Sequence, residues 1–387
     1  MFHDLLLIVL FAAAAFGCLF MVAAATLVPA AAFPVRSPGR MEPAVTVLKP
    51  LHGDETGLYE NLVSFCDQAY SGPVQIVLGV ARQDDPAVAV VERLRREFPH
   101  KTIELVVNAA VHGSNPKVSN LINMSARIAN DVIVIADADI RVRPDYLSRI
   151  VGALERRGGA VTVPYYGIST SNLWSRLAAM SVEGHFLAGV LVGSRFGLSR
   201  ACLGSTIALH RHSLVAIGGF EAVADELADD YEIGALLAAR GEPVSLLPFA
   251  VGHVCDEQTF ADLWRHELRW ATTIRSIDPL SYAGWSLTHA LPLALIALLL
   301  GGEEVAAALV ASALASRGLL IYAIERGYGL PPRPYWLVPL RDLLSFAVFV
   351  AGSISRDVRW KGHRFKLMSE GTLIPERISE RRPPSSC

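Results

Sequence analysis

Residues 5–27 form a continuous uncharged stretch, long enough as a helix to cross a hydrocarbon core of about 30 Å, and this limits the architecture more than any other feature of the chain. A cleavable signal peptide is the rival reading, because Ala23-Ala24-Ala25 and Ala30-Ala31-Ala32 resemble small-residue cleavage sites. The stretch is long and no basic residue precedes it, which favours an uncleaved anchor over residues 1–30. Arg36 and Arg40 follow the span, whereas only His3 and Asp4 precede it. The positive-inside rule therefore puts the N-terminus outside and the next domain in the cytoplasm.

Apolar residues concentrate again near the other end. Residues 285–300 and 305–324 read as a membrane hairpin closed by the acidic turn Gly301-Gly302-Glu303-Glu304. Arg317 lies inside the second stretch and must face protein, a headgroup or a polar cavity to offset its cost. Residues 335–353 are a third apolar stretch, interrupted by Arg341-Asp342 and preceded by Pro331-Pro332-Arg333-Pro334, which suggests a re-entrant or interfacial segment. The charge count agrees. Arg356, Arg359, Lys361, Arg364 and Lys366 favour a cytoplasmic tail, and that requires an even number of crossings after a cytoplasmic domain.

With 52% hydrophobic residues over 387 positions and a mean hydropathy of +0.37, the chain is too apolar for an ordinary soluble enzyme, yet its middle alternates strand-like and helix-like runs. A formal net charge of -2 offers no field for nucleic acid, and no basic and aromatic residues interleave as single strands require. Cys18, Cys66, Cys202, Cys255 and Cys387 show no metal-ligand spacing and are odd in number, which argues against a disulfide framework and for a reducing compartment. No Walker or dinucleotide-binding fingerprint appears, so neither ATP nor NAD is implied. The last residues, around Pro383-Pro384-Ser385-Ser386, read as a polar disordered tail.

Residues 42–280 predict an α/β sheet covered by helices. Val45-Thr46-Val47-Leu48 and residues 74–80 read as strands, followed by a helix over 88–98 and a strand over 103–107. The loop 112–117 opens a helix running to 129. Ligands of open α/β sheets collect beyond the carboxyl ends of the strands, where Asp85, Lys117 and Asp137 fall. The apolar run Val132-Ile133-Val134-Ile135-Ala136 ends in Asp137-Ala138-Asp139. In an extended strand, residues two apart share a side, so both carboxylates can face one hard cation while Ala138 packs away. Mg2+ or Mn2+ prefers such ligands and shares them with substrate phosphates. Two solvated carboxylates at a strand end are the plain alternative. Asp229-Asp230-Tyr231-Glu232 before a helical run over 233–240 admits simple capping, and His266-Glu267-Leu268-Arg269-Trp270 admits an interfacial helix with a snorkelling arginine. Glu183 and His185 read as packing residues, with a role lining an acceptor channel as the alternative.

Taken in order, Lys49-Pro50-Leu51, Asp84-Asp85-Pro86-Ala87, Asn115-Pro116-Lys117, Asp137-Ala138-Asp139, Ala228-Asp229-Asp230-Tyr231 and Arg269-Trp270 resemble the ceramide-glucosyltransferase-like branch of family 2 glycosyltransferases. Within it, the stretch Trp264-Arg265-His266-Glu267-Leu268-Arg269-Trp270 looks most like the bacterial hopanoid-biosynthesis glycosyltransferases. The resemblance runs from the anchor to the Arg356-Asp357-Val358-Arg359-Trp360 tail. It implies a GT-A nucleotide-sugar domain, cytoplasmic over residues 42–280, with C-terminal membrane or re-entrant segments over 283–354 and a cytoplasmic basic tail over 355–387, all at a bacterial inner membrane. It further implies inverting transfer from a UDP-sugar to a lipid alcohol, with N-acetylglucosamine and bacteriohopanetetrol as the specific pair. Ceramide glucosylation from UDP-glucose is the alternative, and a lipid-binding or transport protein the non-enzyme one. A polysaccharide synthase would need more C-terminal segments to form a channel.

By the same resemblance, Asp85 holds the uridine part, Asp137 and Asp139 engage metal and diphosphate, Lys117 adds a nucleotide contact and Asp230 is the general base. Arg269 and Trp270 close over the diphosphate and acceptor. His266 stands where the family pattern carries Gln or Arg, so that contact passes to an imidazole that is fully charged only near or below pH ~6.5. Asp139 is present, although ceramide glucosyltransferases can lack that second carboxylate. For Asp230 to serve near neutral pH, desolvation must lift its pKa above about 4.

Overall fold

The computed structural model describes residues 1–28, 42–53, 55–170, 172–197 and 202–355, together with the backbone of three strands beyond them. Arg36, Arg40, Arg356, Lys361 and the segment 383–386 lie outside the described residues. The first helix, α1 (Phe2–Leu27), presents Leu5, Ile8, Val9 and Leu19 outward and buries Ala14, Gly17, Met21 and Ala24.

The core of the middle of the chain is a doubly covered mixed sheet. Its strands are β1 (Val45–Pro50), β2 (Val74–Val80), β3 (Thr102–Val107), β4 (Val132–Ile135), β6 (Ala160–Thr162), β8 (Ile207–His210) and β9 (Val244–Leu246), in the order β3-β2-β1-β4-β8-β6-β9. Only β8 runs antiparallel to its neighbours. A second sheet joins β5 (Ile140–Arg141), β10 (Val251–Cys255) and β7 (Tyr165–Ser169) in the order β5-β10-β7. Helices α2 (Leu58–Cys66), α3 (Ala87–Glu97) and α5 (Tyr146–Arg157) cover one face of the large sheet through Leu62, Phe65, Val91, Leu94, Ile150 and Leu154. The other face takes α4 (Pro116–Ser125), α8 (Arg211–Ala216) and α9 (Asp229–Ala239) through Leu121, Met124, Leu214, Ile233 and Leu237. The two faces explain the near-continuous apolar runs of β1, β2 and β4, which have no solvated side. Strands β2 and β4 flank β1, while β3 lies beyond β2, so the chain switches direction across the sheet between β1 and β4. The crevice at such a switch is where ligands bind.

Helices α6 (Leu173–Ser181) and α7 (Ala188–Arg195) are joined by a π-helical turn, Val182–Leu187. They lead from the sheets toward the apolar helices, and α10 (Phe260–Ile277) follows β10, capped by Thr259 and Asp262 in reciprocal hydrogen bonds. The long apolar run read over 285–300 is not one helix. It is α11 (Pro279–Trp285), a short turn and α12 (Ala290–Leu299), bent by 60°. His289, buried at the break, is packed among Trp285, Phe346 and Phe349. By contrast, α13 (Glu303–Tyr328) is continuous, and so is Tyr335–Ile354, which contains α14 (Val338–Ile354). With α1 and Leu173–Arg195, these are the helical segments long and apolar enough to cross a membrane among the described residues. Gly17 lets α1 approach the end of α12 closely, since a Cβ there would lie 2.7 Å from the Leu287 carbonyl oxygen and 2.9 Å from Ala290 Cβ. The tail backbone forms a three-stranded antiparallel sheet, β11 (Asp357–Trp360), β12 (His363–Leu367) and β13 (Leu373–Pro375).

The charges that interrupt the apolar helices are paired. Arg317 Nε donates to Asp342 Oδ2 at 3.2 Å. Arg341 meets Glu267 with two hydrogen bonds of 2.7 Å, tying α14 to α10, and Arg333 holds Glu183. Each pair removes a charge that lipid would penalise, so α14 carries Arg341-Asp342 without breaking.

Candidate active site

The Asp-x-Asp element lies beyond its strand. β4 ends at Ile135, and Asp137-Ala138-Asp139 forms a turn into β5, with the Asp137 and Ala138 carbonyls taken by side chains and that of Asp139 by Val254 N of β10 at 2.9 Å. Lys49 Nζ donates to the Asp137 carbonyl at 2.7 Å, and Asn61 Nδ2 to that of Ala138 at 3.2 Å. The strand geometry expected for this motif is therefore replaced by a held turn. Ala138 is buried, and both carboxylates still line one cavity.

That cavity has a volume of about 970 Å³. Of the residues named from the sequence, it brings together Lys117, Asp137, Asp139, Asp230, His266, Arg269 and Trp270. It does not include Asp85. The Asp85 carboxylate accepts hydrogen bonds from Gly53 N at 3.0 and 3.1 Å and from Ala87 N at 2.9 Å, so it braces the turn before α3 and ties down the loop whose His52 and Glu55 do line the cavity.

Lys117 enters from the first turn of α4, which Asn115 caps by accepting from Val118 N at 3.1 Å. Its Nζ lies 2.9 Å from both Asp137 Oδ1 and Asp229 Oδ2. Burial would discharge the ammonium, but Asp137, Asp229 and Asp230 outweigh it and hold Lys117 well above the usual lysine range. Burial lifts Asp137, Lys117 pulls it back, and Asp139 and Asp229 add to the rise. Asp139 goes the other way. Burial raises it, yet His253, 3.4 Å away, together with Lys49 and His266 brings it down to about 2. Lys49, fully buried over the Phe65 ring, is pushed down to about 7 by desolvation against the pull of Asp139 and Asp137.

Asp230 Oδ2 accepts from Gly204 N at 2.7 Å and Oδ1 from Tyr231 N at 2.9 Å. Burial, with Asp229 next to it, lifts its carboxyl to about 6. His266 Nδ1 is 2.6 Å from Glu257 Oε1. Trp270 packs edge-on to His266 and Tyr165. Arg269 lines the cavity without a hydrogen bond or ion pair from its guanidinium among the described residues, near the negative charge of Asp137, Asp139 and Asp230. It is a free donor fork for an anion.

Three contributors carry no sequence signal. His253 sits inside the apolar strand β10, and Glu257 follows it without a motif. Gly204 stands between the two acids: its nitrogen serves Asp230, and its oxygen accepts from Asp137 N at 3.2 Å. A Cβ at Gly204 would lie 2.6 Å from Asp137 Oδ2 and 3.3 Å from Asp230 Oδ2. Gly204→Ala is therefore expected to displace both carboxylates, destabilise the fold by about 1–3 kcal/mol and reduce turnover by about 100-fold. Thermal unfolding and steady-state kinetics on the purified variant measure the two effects.

Among the described residues, the group of three metal-ligating side chains with atoms within 4.8 Å of one another is Asp131, His210 and His212, at the other end of β4. The cavity instead offers Asp139 Oδ1, which is buried and has no hydrogen-bond partner among the described residues, beside Asp137. Two carboxylates with one open oxygen suit a divalent ion that completes its shell with substrate phosphates and water.

The sequence profile of glycosyl transferase family 21 matches residues 7–373. The chain belongs to this family. Ceramide glucosyltransferase 1 of Caenorhabditis elegans is 22% identical over 379 residues, covering 88% of this chain and 75% of its own length. A ceramide glucosyltransferase of Komagataella phaffii is 34% identical over 116 residues, 29% of this chain and 23% of its own. A mannosyltransferase from Pyrobaculum calidifontis, solved in complex with GDP-Man and Mn2+, aligns with a TM-score of 0.52 and 20% identity over 91% of this chain and 98% of that one. The likeness establishes the GT-A-type fold, and this family 21 member is a glycosyltransferase with several helices long and apolar enough to cross a membrane.

Proposed function

We propose that this family 21 enzyme transfers a sugar from a UDP-sugar to a hydroxyl of a membrane lipid, with inversion at the anomeric carbon. The observation that carries the reading is one cavity lined both by the half-buried carboxylates Asp137, Asp139 and Asp230 and by Phe20 of α1, Val190 and Val192 of α7 and Val348 of α14. A donor diphosphate and a hydrophobic acceptor can thus share it, with the acceptor arriving from the bilayer.

Asp137 and Asp139 would hold Mg2+ or Mn2+, which when bound would offset charge growing on the diphosphate. Arg269, unpaired among the described residues, adds a fixed positive charge at the same place and needs no reorganisation to do so. Lys117 and Lys49 hold Asp137 by side chain and backbone. Asp85 shapes the rim for the uridine part by fixing the loop at Gly53, and Trp270 with His266 forms the wall over the diphosphate and acceptor. Asp230 takes the acceptor proton as the hydroxyl attacks the face opposite the leaving group.

With its carboxyl at about 6, Asp230 is deprotonated and competent above that pH and protonated below it. The rate of transfer is expected to fall about tenfold per pH unit below roughly 6 and to level off above it. A pH profile at saturating metal reads this, and a flat rate down to pH 4.5 would contradict the assignment.

The stretch 264–270 supports N-acetylglucosamine and bacteriohopanetetrol as the pair, and the Caenorhabditis elegans relatives support glucose and ceramide. Labelled UDP-N-acetylglucosamine and UDP-glucose, each offered with both lipids to the purified chain, separate the two by the product formed. Transfer to no lipid would sink the reading. For topology, α1, α13 and α14 serve as full crossings and the bent pair α11–α12 as a re-entrant element. Two crossings then follow a cytoplasmic catalytic domain at the bacterial inner membrane and return the basic tail to the same side.

A further inference from the structure

We infer that the cavity contains a second polar site, built by His185 and Arg317, that recognises a hydroxyl of the acceptor other than the one glycosylated. The inference rests on the lipid-acceptor reading above. Both residues line the cavity, whose lining also includes the apolar Phe20, Val190 and Val348. The side chains are 2% and 3% exposed. Neither ring nitrogen of His185 has a hydrogen-bond partner among the described residues, nor does Arg317 Nη2. His185 Nε2 is 3.3 Å from Asp342 Oδ1 but out of hydrogen-bonding alignment. Unmet donors in apolar surroundings cost free energy, so a protein keeps them where something else meets them.

The backbone is arranged to hold these groups. His185 sits on the π-helical turn Val182–Leu187, a helix irregularity that often marks functional positions. The turn is clamped at the two residues before His185: Glu183 is locked by Arg333, and the Gly184 carbonyl accepts from Arg317 Nη1. Beside these two, His185 is the polar member of the turn whose ring nitrogens make no hydrogen bond among the described residues.

The chemistry of the site selects its ligand class. Asp342 already neutralises Arg317, so a phosphate or carboxylate headgroup gains little there. Guanidinium N–H groups only donate, whereas imidazole offers one donor and one acceptor. A neutral hydroxyl, which does both, complements the pair. The acceptor is thus a polyhydroxylated neutral lipid, and a lipid with a single hydroxyl is a poor substrate because it leaves the buried groups unmet.

The test compares matched acceptors on the full-length purified chain: ceramide against 3-deoxyceramide, and bacteriohopanetetrol against a hopanoid with one hydroxyl. The wild type is expected to favour the polyhydroxylated member of the pair it uses by about tenfold or more in kcat/KM. His185→Phe should raise KM for that lipid about tenfold with little change in kcat, and leave the mono-hydroxy lipid as it was. His185→Asn, which keeps a donor and an acceptor, should restore part of the preference and carries the test if the Phe variant does not fold. UDP binding by calorimetry reports that each variant is folded. A wild type indifferent to the second hydroxyl, equal loss on both lipids, or Asn no better than Phe would each overturn the site. A wild type that glycosylates none of the lipids would instead bring down the lipid-acceptor reading itself.

Discussion

Asp230→Asn is expected to lower kcat by about 100- to 10,000-fold while UDP affinity stays within a few-fold of wild type. The amide retains the shape of the carboxylate, and its single oxygen can still accept from Gly204 N or from Tyr231 N, so the turn around α9 loses one hydrogen bond and should otherwise survive. It cannot take a proton. The loss should therefore appear in turnover and not in donor binding, and it should not be recovered by raising the pH, in contrast to the wild type, whose base is freed above about 6. Steady-state kinetics with a labelled UDP-sugar, beside calorimetry with UDP, separates the two quantities. Turnover left intact would remove Asp230 from the chemistry.

Lys117→Met is expected to destabilise the protein by about 3–5 kcal/mol at neutral pH, since removing one partner of a buried ion pair leaves the others uncompensated. Here the uncompensated groups are Asp137 and Asp229, each 2.9 Å from the ammonium. The sign with pH follows. The penalty should shrink as the pH falls and Asp137, which burial holds above the usual carboxylate range, takes up a proton, and it should also shrink when Mn2+ replaces the missing positive charge. Thermal unfolding at two pH values, with and without Mn2+, tests both. Unchanged stability at neutral pH would show that the pair seen at Lys117 contributes little.

What the chain disclosed on reading depended on how local each cue was. Asp137 and Asp139 were visible because a carboxylate pair closing an apolar run is a contrast within a few residues, although the strand expected beneath them stops at Ile135. Asp230 and Arg269 stood out through motif order. Gly204 was not visible, because its importance is a distance to two side chains far away in sequence. His253 was hidden in an apolar strand for the same reason. Arg317 and Arg341-Asp342 could be recognised as misplaced charges, but their partners Asp342 and Glu267 emerge only when α10, α13 and α14 pack. The reversed strand β8, wedged between β4 and β6, likewise has no signature in its own four residues. Where residues 285–300 looked like one apolar helix, a buried histidine sits at the bend, and hydropathy alone does not register a bend.

The wall that α1 and α14 contribute to the reaction chamber has a kinetic meaning. If one substrate arrives by diffusion within the leaflet, the quantity that saturates the enzyme is that lipid's mole fraction in the surrounding sheet and not its amount per litre. Diluting vesicles with inert phospholipid should slow the reaction at constant total lipid alcohol, whereas adding buffer should not.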